Sequence, residues 1–364
     1  MNQSSAPCAR PLRIVLPGGS GQVGRMLARF FQERGHHVTV LTRGPYTAPW
    51  YTVHWDGAHA GPWVVTLEGA DVCINLAGRG INCRYTARNR QALYDSRIGP
   101  TRLLRHVIAR LEAPPRVWMN ASSVTIYRHA PRGTEFDREM DEATGEIGGH
   151  EWIGDGIWRR RAPEKWDWMV GLVKDWEGAL LGPGDRARLG PADGAQLGPA
   201  NAAPAETPPT RRIALRTSLV MSPAPGNLFA LFSYLARAGL GGTQGNGRQY
   251  VSWMHEADFA RAVEFLIEHE EIEGPVNMAA PNPVPNREFM AALREAWNRP
   301  NGLPAPAPLI ALGSFLMRSE PQLVLKSRRA VPGRLLEAGF EFEFPEWPEA
   351  AEDLVRRWRD RTDR

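Results

Sequence analysis

The stretch Leu12-Arg13-Ile14-Val15-Leu16-Pro17-Gly18-Gly19-Ser20-Gly21-Gln22-Val23-Gly24, followed by Arg25 to Arg34 with Met26, Leu27, Phe30 and Phe31 at helical spacing, decides the fold. Its apolar run predicts a buried strand, its glycines a tight turn, and its periodicity a helix that Gly35 stops. Gly18, Gly21 and Gly24 stand three apart between the two elements. There, glycine lets the backbone approach a pyrophosphate closely, and the N–H groups and positive end of the helix face the negative charge. A glycine motif alone can be no more than a tight turn. The strand before it and the helix after it make Gly18, Gly19, Ser20, Gly21, Gln22, Val23 and Gly24 a candidate nucleotide loop.

The same alternation continues outward. Val38 to Leu41, Thr52 to Trp55, Val72 to Leu76, Arg116 to Asn120, Ile213 to Val220 and Val276 to Met278 read as strands. Thr86 to Leu111, Trp166 to Leu180 and Asp258 to His269 read as helices. Strands joined by helical crossovers predict an α/β fold, a Rossmann-like doubly wound parallel sheet with a smaller substrate-side region. Leu-Gly-Pro returns at Leu181, Leu189 and Leu197, and residues 181–210 hold too little apolar surface to pack, so they read as a disordered surface insertion. The Pro-rich run Leu303 to Pro308 divides a main domain, 12–302, from a short C-terminal domain, 309–360.

Composition narrows the function classes. A chain of 364 residues with 43% hydrophobic content is globular. Its net charge of +4, scattered along the sequence, leaves no footprint for nucleic acid. The 3 cysteines, Cys8, Cys73 and Cys83, lack CxxC spacing, which points to neither a disulfide framework nor a zinc site, and no metal site is expected. No run approaches the roughly 18 apolar residues of a membrane span, and Met1 to Pro11 lacks the apolar core of a secretory signal. The expectation is a cytoplasmic protein.

The end of the second strand selects the dinucleotide, because an acid there accepts the ribose hydroxyls whereas a basic residue pairs with a 2′-phosphate. Thr42 and Arg43 stand there, with no acid. A guanidinium holds phosphate through two parallel hydrogen bonds, which favours NADP(H) over NAD(H); the competing reading is an ordinary solvated charge. Asp56, ending the third strand, either accepts from the adenine amino group or caps a turn.

Taken together, these residues resemble the extended short-chain dehydrogenase/reductase family of sugar-nucleotide epimerases and dehydratases. The likeness spans roughly residues 12 to 290. It rests on the glycine loop, Asn75-Leu76-Ala77-Gly78, Ala121-Ser122-Ser123 with Tyr127, Arg216, and His255 with Asp258. Asn75 to Arg84, Ser122 to Ala130, Gly239 to His255 and Lys326 to Gly339 look closer still to an atypical, epimerase-like branch with its own short C-terminal domain. The resemblance implies that Leu76, Ala77 and Gly78 line the cofactor's adenosine and ribose, that Ser122 belongs to the same lining, and that Ser123 stands beside the nicotinamide. A hydroxyl there hydrogen-bonds a substrate carbonyl as it gains negative charge. The plainer reading of Ser122 and Ser123 is a strand end satisfied by backbone. A homodimer through the long helix is implied by the family alone.

The pattern then breaks. The family carries Tyr-x-x-x-Lys on the helix after the fifth strand, the lysine lowering the pKa of a phenol that acts as acid or base. If Glu177 matches the glutamate that usually follows, Met169 and Val173 hold the Tyr and Lys places, and neither transfers a proton. Lys174 lies about 100° further round the helix. Tyr127 and Tyr85 are the candidate replacements, with a structural role the competing reading for Tyr127. The loss leaves two functions in play, an NADP(H)-dependent oxidoreductase or epimerase-like enzyme, and a non-catalytic NADP(H)-binding sensor or partner-binding protein.

Around this core, the substrate is expected to be a small molecule. Arg79, Arg84, Arg88 and Arg90 suggest an anionic one, or else form salt bridges at a helix start. Cys83 reads as a reactive thiol or a packing residue. Trp253 and His255 border the cleft or the core. Trp152, Trp158, Trp166, Trp168 and Trp176 cluster around the altered helix as cover, core or interface.

Overall fold

The computed structural model describes residues 10–153, 160–182 and 210–362. Most of the predicted insertion at 181–210 therefore lies outside the described residues, as do Cys8 and Trp158.

The sequence order of strands and helices is reproduced. β1 (Arg13–Pro17), β2 (His37–Thr42), β3 (Tyr51–His54), β4 (Val72–Asn75) and β5 (Val117–Ser123) are joined in one sheet by the strands Arg211–Thr217 and Gly274–Met278. From one edge the order runs Gly274–Met278, Arg211–Thr217, β5, β4, β1, β2, β3. Pairing is parallel from β5 through to β3, with Ile14 opposite both Val38 and Val72, and Cys73 opposite Trp118. β4 is buried along its whole length, as expected of a strand covered on both faces. The chain passes from β3 back across to β4, so the order reverses between β1 and β4. In open α/β sheets a ligand lies at such a switch point, beyond the carboxyl ends of the strands.

Three helices carry the residues of interest: α1 (Gln22–Glu33), α2 (Ala87–Ile108) and α3 (Glu164–Leu181). α1 buries Gly24, Leu27, Ala28 and Phe31 on one face, the stripe that its sequence spacing requires.

One predicted strand is two. The run Ile213 to Val220 breaks at Ser218, whose N–H and hydroxyl both bond Met278 O. Beyond the break, Leu219–Met221 pairs in parallel with Trp253–His255. The amphipathic helices α4 (Leu228–Arg237) and α6 (Asn286–Ala296) had no counterpart in the sequence reading, the helix α5 (Glu256–Glu268) lying between them.

The chain divides into two compact units. The first takes the described residues of Met1–Gly78, Ser96–Ala121 and Ala179–Ile213, and the second those of Arg79–Asp95, Ser122–Gly178 and Ala214–Arg364. The terminal segment does not stand apart from the second unit. Trp347, Leu354, Val355 and Trp358 of the last helix share one core with Phe229 of α4, Phe289 of α6 and Trp253. Trp347 stacks on Phe289 at 4.1 Å and meets Trp253 edge-on at 5.0 Å.

Candidate functional site

In the first unit the glycine turn is shaped by three steric demands. Gly18 has φ +73, and a Cβ there would lie 2.7 Å from Ala77 Cα and N. A Cβ on Gly19 would strike Leu16 at 2.8 Å, and one on Gly24 would strike Gly19 at 2.4 Å. These glycines bring the turn against the loop after β4 and seat α1 on the turn. Gly21 is different. It is exposed, its φ of −70 suits any residue, and a Cβ there would meet nothing nearer than Gly18 O at 3.6 Å. No packing demand of the protein requires glycine at that position. Gly21 is also the N-cap of α1, with no side-chain cap and no acid in the first turn, so the positive end of the helix is left for a ligand.

The loop after β4 is fixed by a buried amide. Asn75 is fully enclosed, donates to Asn120 Oδ1 at 2.6 Å, and accepts from the Ala77 N–H at 3.1 Å. Leu76 N–H donates to Pro17 O at 2.8 Å. Leu76 and Ala77 are thus held half-buried beside Gly18, with Gly78 exposed next to them.

At the ends of β2 and β3, Thr42, Arg43 and Tyr46 with Thr52 and His54 line a depression of about 450 Å³. Thr42 is buried and its hydroxyl donates to Ser20 Oγ at 3.1 Å, which ties the strand end to the glycine turn. Arg43 is exposed at the rim. Tyr46 carries a phenol raised by burial, partly offset by the charges of Arg25 and Arg29, which place two further guanidinium groups near the same spot. Asp56 caps a turn. Its carboxylate accepts from the Ala58 and His59 N–H groups at 2.8 and 2.9 Å and meets His59 Nδ1 at 2.6 Å. Burial opposes ionisation there, but the bonds from His59 and Ala58 outweigh it and hold the carboxyl at about 2.

In the second unit, a buried network joins the end of β5 to α3. Ser122 Oγ donates to Glu177 Oε1 at 2.6 Å, and Arg216 grips both oxygens of Glu177. The third arm of Arg216 donates to the Tyr127 hydroxyl at 2.8 Å, and Tyr127 donates in turn to Asn277 Oδ1 at 2.9 Å. Asn277 closes the chain with bonds to Met140 O and Val331 O. Burial raises the Tyr127 phenol to about 12, with Arg216 pulling the other way. With its one proton given to Asn277, Tyr127 has the geometry of a positioning residue in this structure. Ser122 likewise spends its proton on Glu177. Ser123 is half-buried, its oxygen accepting from Thr125 N–H at 3.2 Å as the cap of a short 3-10 turn.

Met169 and Val173 sit in the apolar interior of α3. Lys174 is exposed, its Nζ 3.5 Å from Gly148 O. The arginine loop follows its plainer reading in part. Arg84 donates to Phe315 O and lies over the Phe315 ring, and Arg90 grips Glu164 with two bonds of 2.6 Å. Trp253 and His255 are core residues. His255 Nδ1 accepts from Ala257 N–H, its Nε2 lies 3.2 Å from Asp353, and Asp258 accepts from the Glu343 and Phe344 N–H groups. Trp166 and Trp176 are buried and Trp152 exposed. Cys73 is sealed, which pushes its thiol far above the ordinary range, and Cys83 is half-buried; both are free. Among the described residues no cluster of three His, Cys, Asp or Glu is placed to hold a metal, and no helix is long and apolar enough to cross a membrane.

Sequence reading missed a second polar group in this unit, made by Glu151, Glu320, Gln322, Lys326 and Arg328. Lys326 is buried with its Nζ 3.4 Å from both Thr125 O and Glu151 Oε1, and burial lowers its amine to about 8 against the pull of Glu151. The available signal was the basic run Lys326-Ser327-Arg328-Arg329 beyond a Pro-rich border.

A parallel sheet with its switch point between β1 and β4, and a glycine turn before an uncapped helix, defines an α/β protein of the dinucleotide-binding type. Residues 14–147 match the NAD dependent epimerase/dehydratase family, and residues 304–354 match a domain of unknown function, DUF1731. An epimerase family protein of Mycobacterium leprae is 32% identical over 341 residues, covering 93% of this chain and 94% of that protein. Epimerase family protein YfhF of Bacillus subtilis is 28% identical over 349 residues, 94% and 98% of the two chains. The crystal structure of human epimerase family protein SDR39U1 with NADPH superposes with a TM-score of 0.73 at 25% identity, covering 95% of this chain and 99% of that one. The chain belongs to the NAD dependent epimerase/dehydratase family.

Proposed function

We propose that this protein binds NADP(H) and acts as a cytoplasmic oxidoreductase or epimerase-like enzyme on a small carbonyl or alcohol substrate. The observation that carries the reading is Arg43, an exposed guanidinium at the rim of the depression beyond β2 and β3, next to a glycine turn whose Gly21 no packing demand explains. The turn residues 18–24 would hold the pyrophosphate on their N–H groups, Arg43 the 2′-phosphate, and Leu76, Ala77 and Gly78 the adenosine side. Human SDR39U1, solved with NADPH, supports the same choice. When bound, the dinucleotide supplies a hydride donor or acceptor. Ser123 offers a hydroxyl to a substrate oxygen that gains charge, a contact that works mainly in the transition state.

A second reading has its own observation. Met169 and Val173, buried and apolar where the family keeps its acid/base pair, fit a protein that binds NADP(H) without turnover.

Titration of NADPH and NADH by fluorescence separates these readings, followed by a carbonyl panel monitored through loss of NADPH absorbance. We expect NADPH to bind more tightly than NADH, and Arg43→Ala to weaken NADPH by about tenfold while leaving NADH unchanged. Equal affinity for both cofactors in wild type and variant removes the assignment of Arg43. Tight NADPH binding with no turnover across the panel favours the non-catalytic protein.

A further inference from the structure

Tyr85, Gln322 and Arg328 of the second unit lie near enough to interact and leave buried polar atoms poorly satisfied among the described residues. The Tyr85 backbone is fixed from both sides, its N–H donating to Glu320 Oε1 at 2.7 Å and its carbonyl accepting from Arg90 Nε at 3.1 Å. Its ring lies against Trp168 at 5.3 Å. The hydroxyl at the far end of this well-held side chain has no hydrogen-bond partner among the described residues closer than the Gln322 amide. Gln322 is buried as well; its amide approaches the Tyr85 phenol and has no other partner among the described residues. Arg328 is close enough for its charge to act on the same phenol. Its Nη1 donates to Lys326 O at 3.2 Å, and its buried Nε donates to nothing.

Charge makes the gathering specific. Glu320 is engaged by Lys165, with both oxygens 2.9 Å from Nζ, and Glu151 by Lys326. The acids of this region are thus matched to lysines, and among the described residues Arg328 has no carboxylate within ion-pair distance. Buried cations are ordinarily paired, and buried hydroxyl and amide groups ordinarily bonded. Two side chains with unsatisfied donors beside one guanidinium that meets no carboxylate among the described residues are what a bound anion would satisfy. The neighbouring Lys326 amine touches Thr125 O, and Thr125 bonds Ser123.

We propose that Arg328, Tyr85 and Gln322 form an anion subsite that holds a carboxylate or phosphate group of the substrate. Arg328 supplies the charge, while the phenol and the amide each donate one hydrogen bond. Naming the bound molecule a substrate rests on the enzymatic reading above; the anion site itself does not. Its residues 322 and 328 come from the segment that matches DUF1731, which gives that segment a part in selecting ligand.

The test is calorimetric titration of the full chain with inorganic phosphate and, separately, succinate, at constant ionic strength, with and without saturating NADPH. NADPH affinity is measured on the same samples, so loss of cofactor binding and loss of anion binding are read apart. At least one anion is expected to bind wild type, and the stronger of the two tells phosphate from carboxylate. Arg328→Lys should weaken that anion by about tenfold, and Tyr85→Phe and Gln322→Leu by several-fold each. Thermal unfolding supplies a control that a structural role would fail. Removing a buried polar atom that has no partner leaves stability unchanged or raised, so Tyr85→Phe and Gln322→Leu should melt no lower than wild type. The proposal is overturned if neither anion binds, or if binding is the same in wild type and in Tyr85→Phe and Gln322→Leu.

Discussion

Glu177 and Arg216 face each other as a two-pronged ion pair, Nε to Oε1 and Nη2 to Oε2, both at 2.8 Å and both nearly sealed from solvent. Removing one partner strands the other charge in the interior, which costs about 3–5 kcal/mol. Glu177→Gln is therefore expected to lose stability of that order in urea unfolding. The double variant Glu177→Leu with Arg216→Met should recover most of it, because no unpaired charge is left behind. A Glu177→Gln protein as stable as wild type would show that the pair does not hold the end of β5 against α3.

Tyr127 hangs from the same network, so Tyr127→Phe separates positioning from proton transfer. The variant leaves an Arg216 N–H and Asn277 Oδ1 unsatisfied, at about 1–3 kcal/mol. We expect a lower urea midpoint with unchanged NADPH affinity. With the phenol raised to about 12, no activity limb assignable to Tyr127 should appear near neutral pH. Undiminished stability together with abolished turnover would return Tyr127 to the role of acid.

The glycine turn predicts opposite phenotypes three residues apart. In Gly24→Ala the new methyl falls against the Gly19 backbone, and overpacking of this kind costs about 1–3 kcal/mol or more. Gly21→Ala has open space and ordinary backbone angles, so its melting temperature should match wild type. Its NADPH affinity should fall by about tenfold, the worth of one hydrogen bond to a charged group. Normal NADPH binding by Gly21→Ala would mean that the pyrophosphate does not approach this residue.

His129 gives the molecule an acid-sensitive joint. Burial, reinforced by the charges of Lys326, Arg328 and Arg128, lowers it to about 3, and its Nδ1 accepts from Ser327 N–H. The unfolded chain takes up this proton near pH 6.5, before the folded one does. The stability it contributes is therefore complete above that pH and is lost as pH falls toward 3. Melting curves across this window should be shallower for His129→Asn by close to one proton. Identical pH dependence in both proteins would refute the assignment.

Much of the first unit was legible because its signals are local. β1, the glycine turn and α1 are contiguous, and Thr42-Arg43 is marked by the end of a strand that its own residues define. The gathering around Tyr85 has no such signal, since Tyr85 and Glu320 meet across 235 residues. Gln322 and Arg328 also lie in a segment whose local mark is the basic run Lys326-Ser327-Arg328-Arg329 alone. Asp56 and His255 illustrate a different limit. Each carries side-chain chemistry that serves a ligand or a cap equally well, and the N–H groups that each caps are placed by the folded backbone. The strand break at Ser218 escaped for a similar reason, because the bond that diverts the chain comes from Met278 on a distant strand.

Trp347, Leu354 and Trp358 complete an aromatic core that Phe229, Trp253 and Phe289 begin. During synthesis this unit cannot close until Trp358 has left the ribosome, and until then the waiting aromatic face is wet and adhesive. Cutting at the Pro-rich run after residue 302, where a boundary looks natural, would make that exposure permanent. The product would be a client for chaperones, and a smaller working protein is not to be had by that cut.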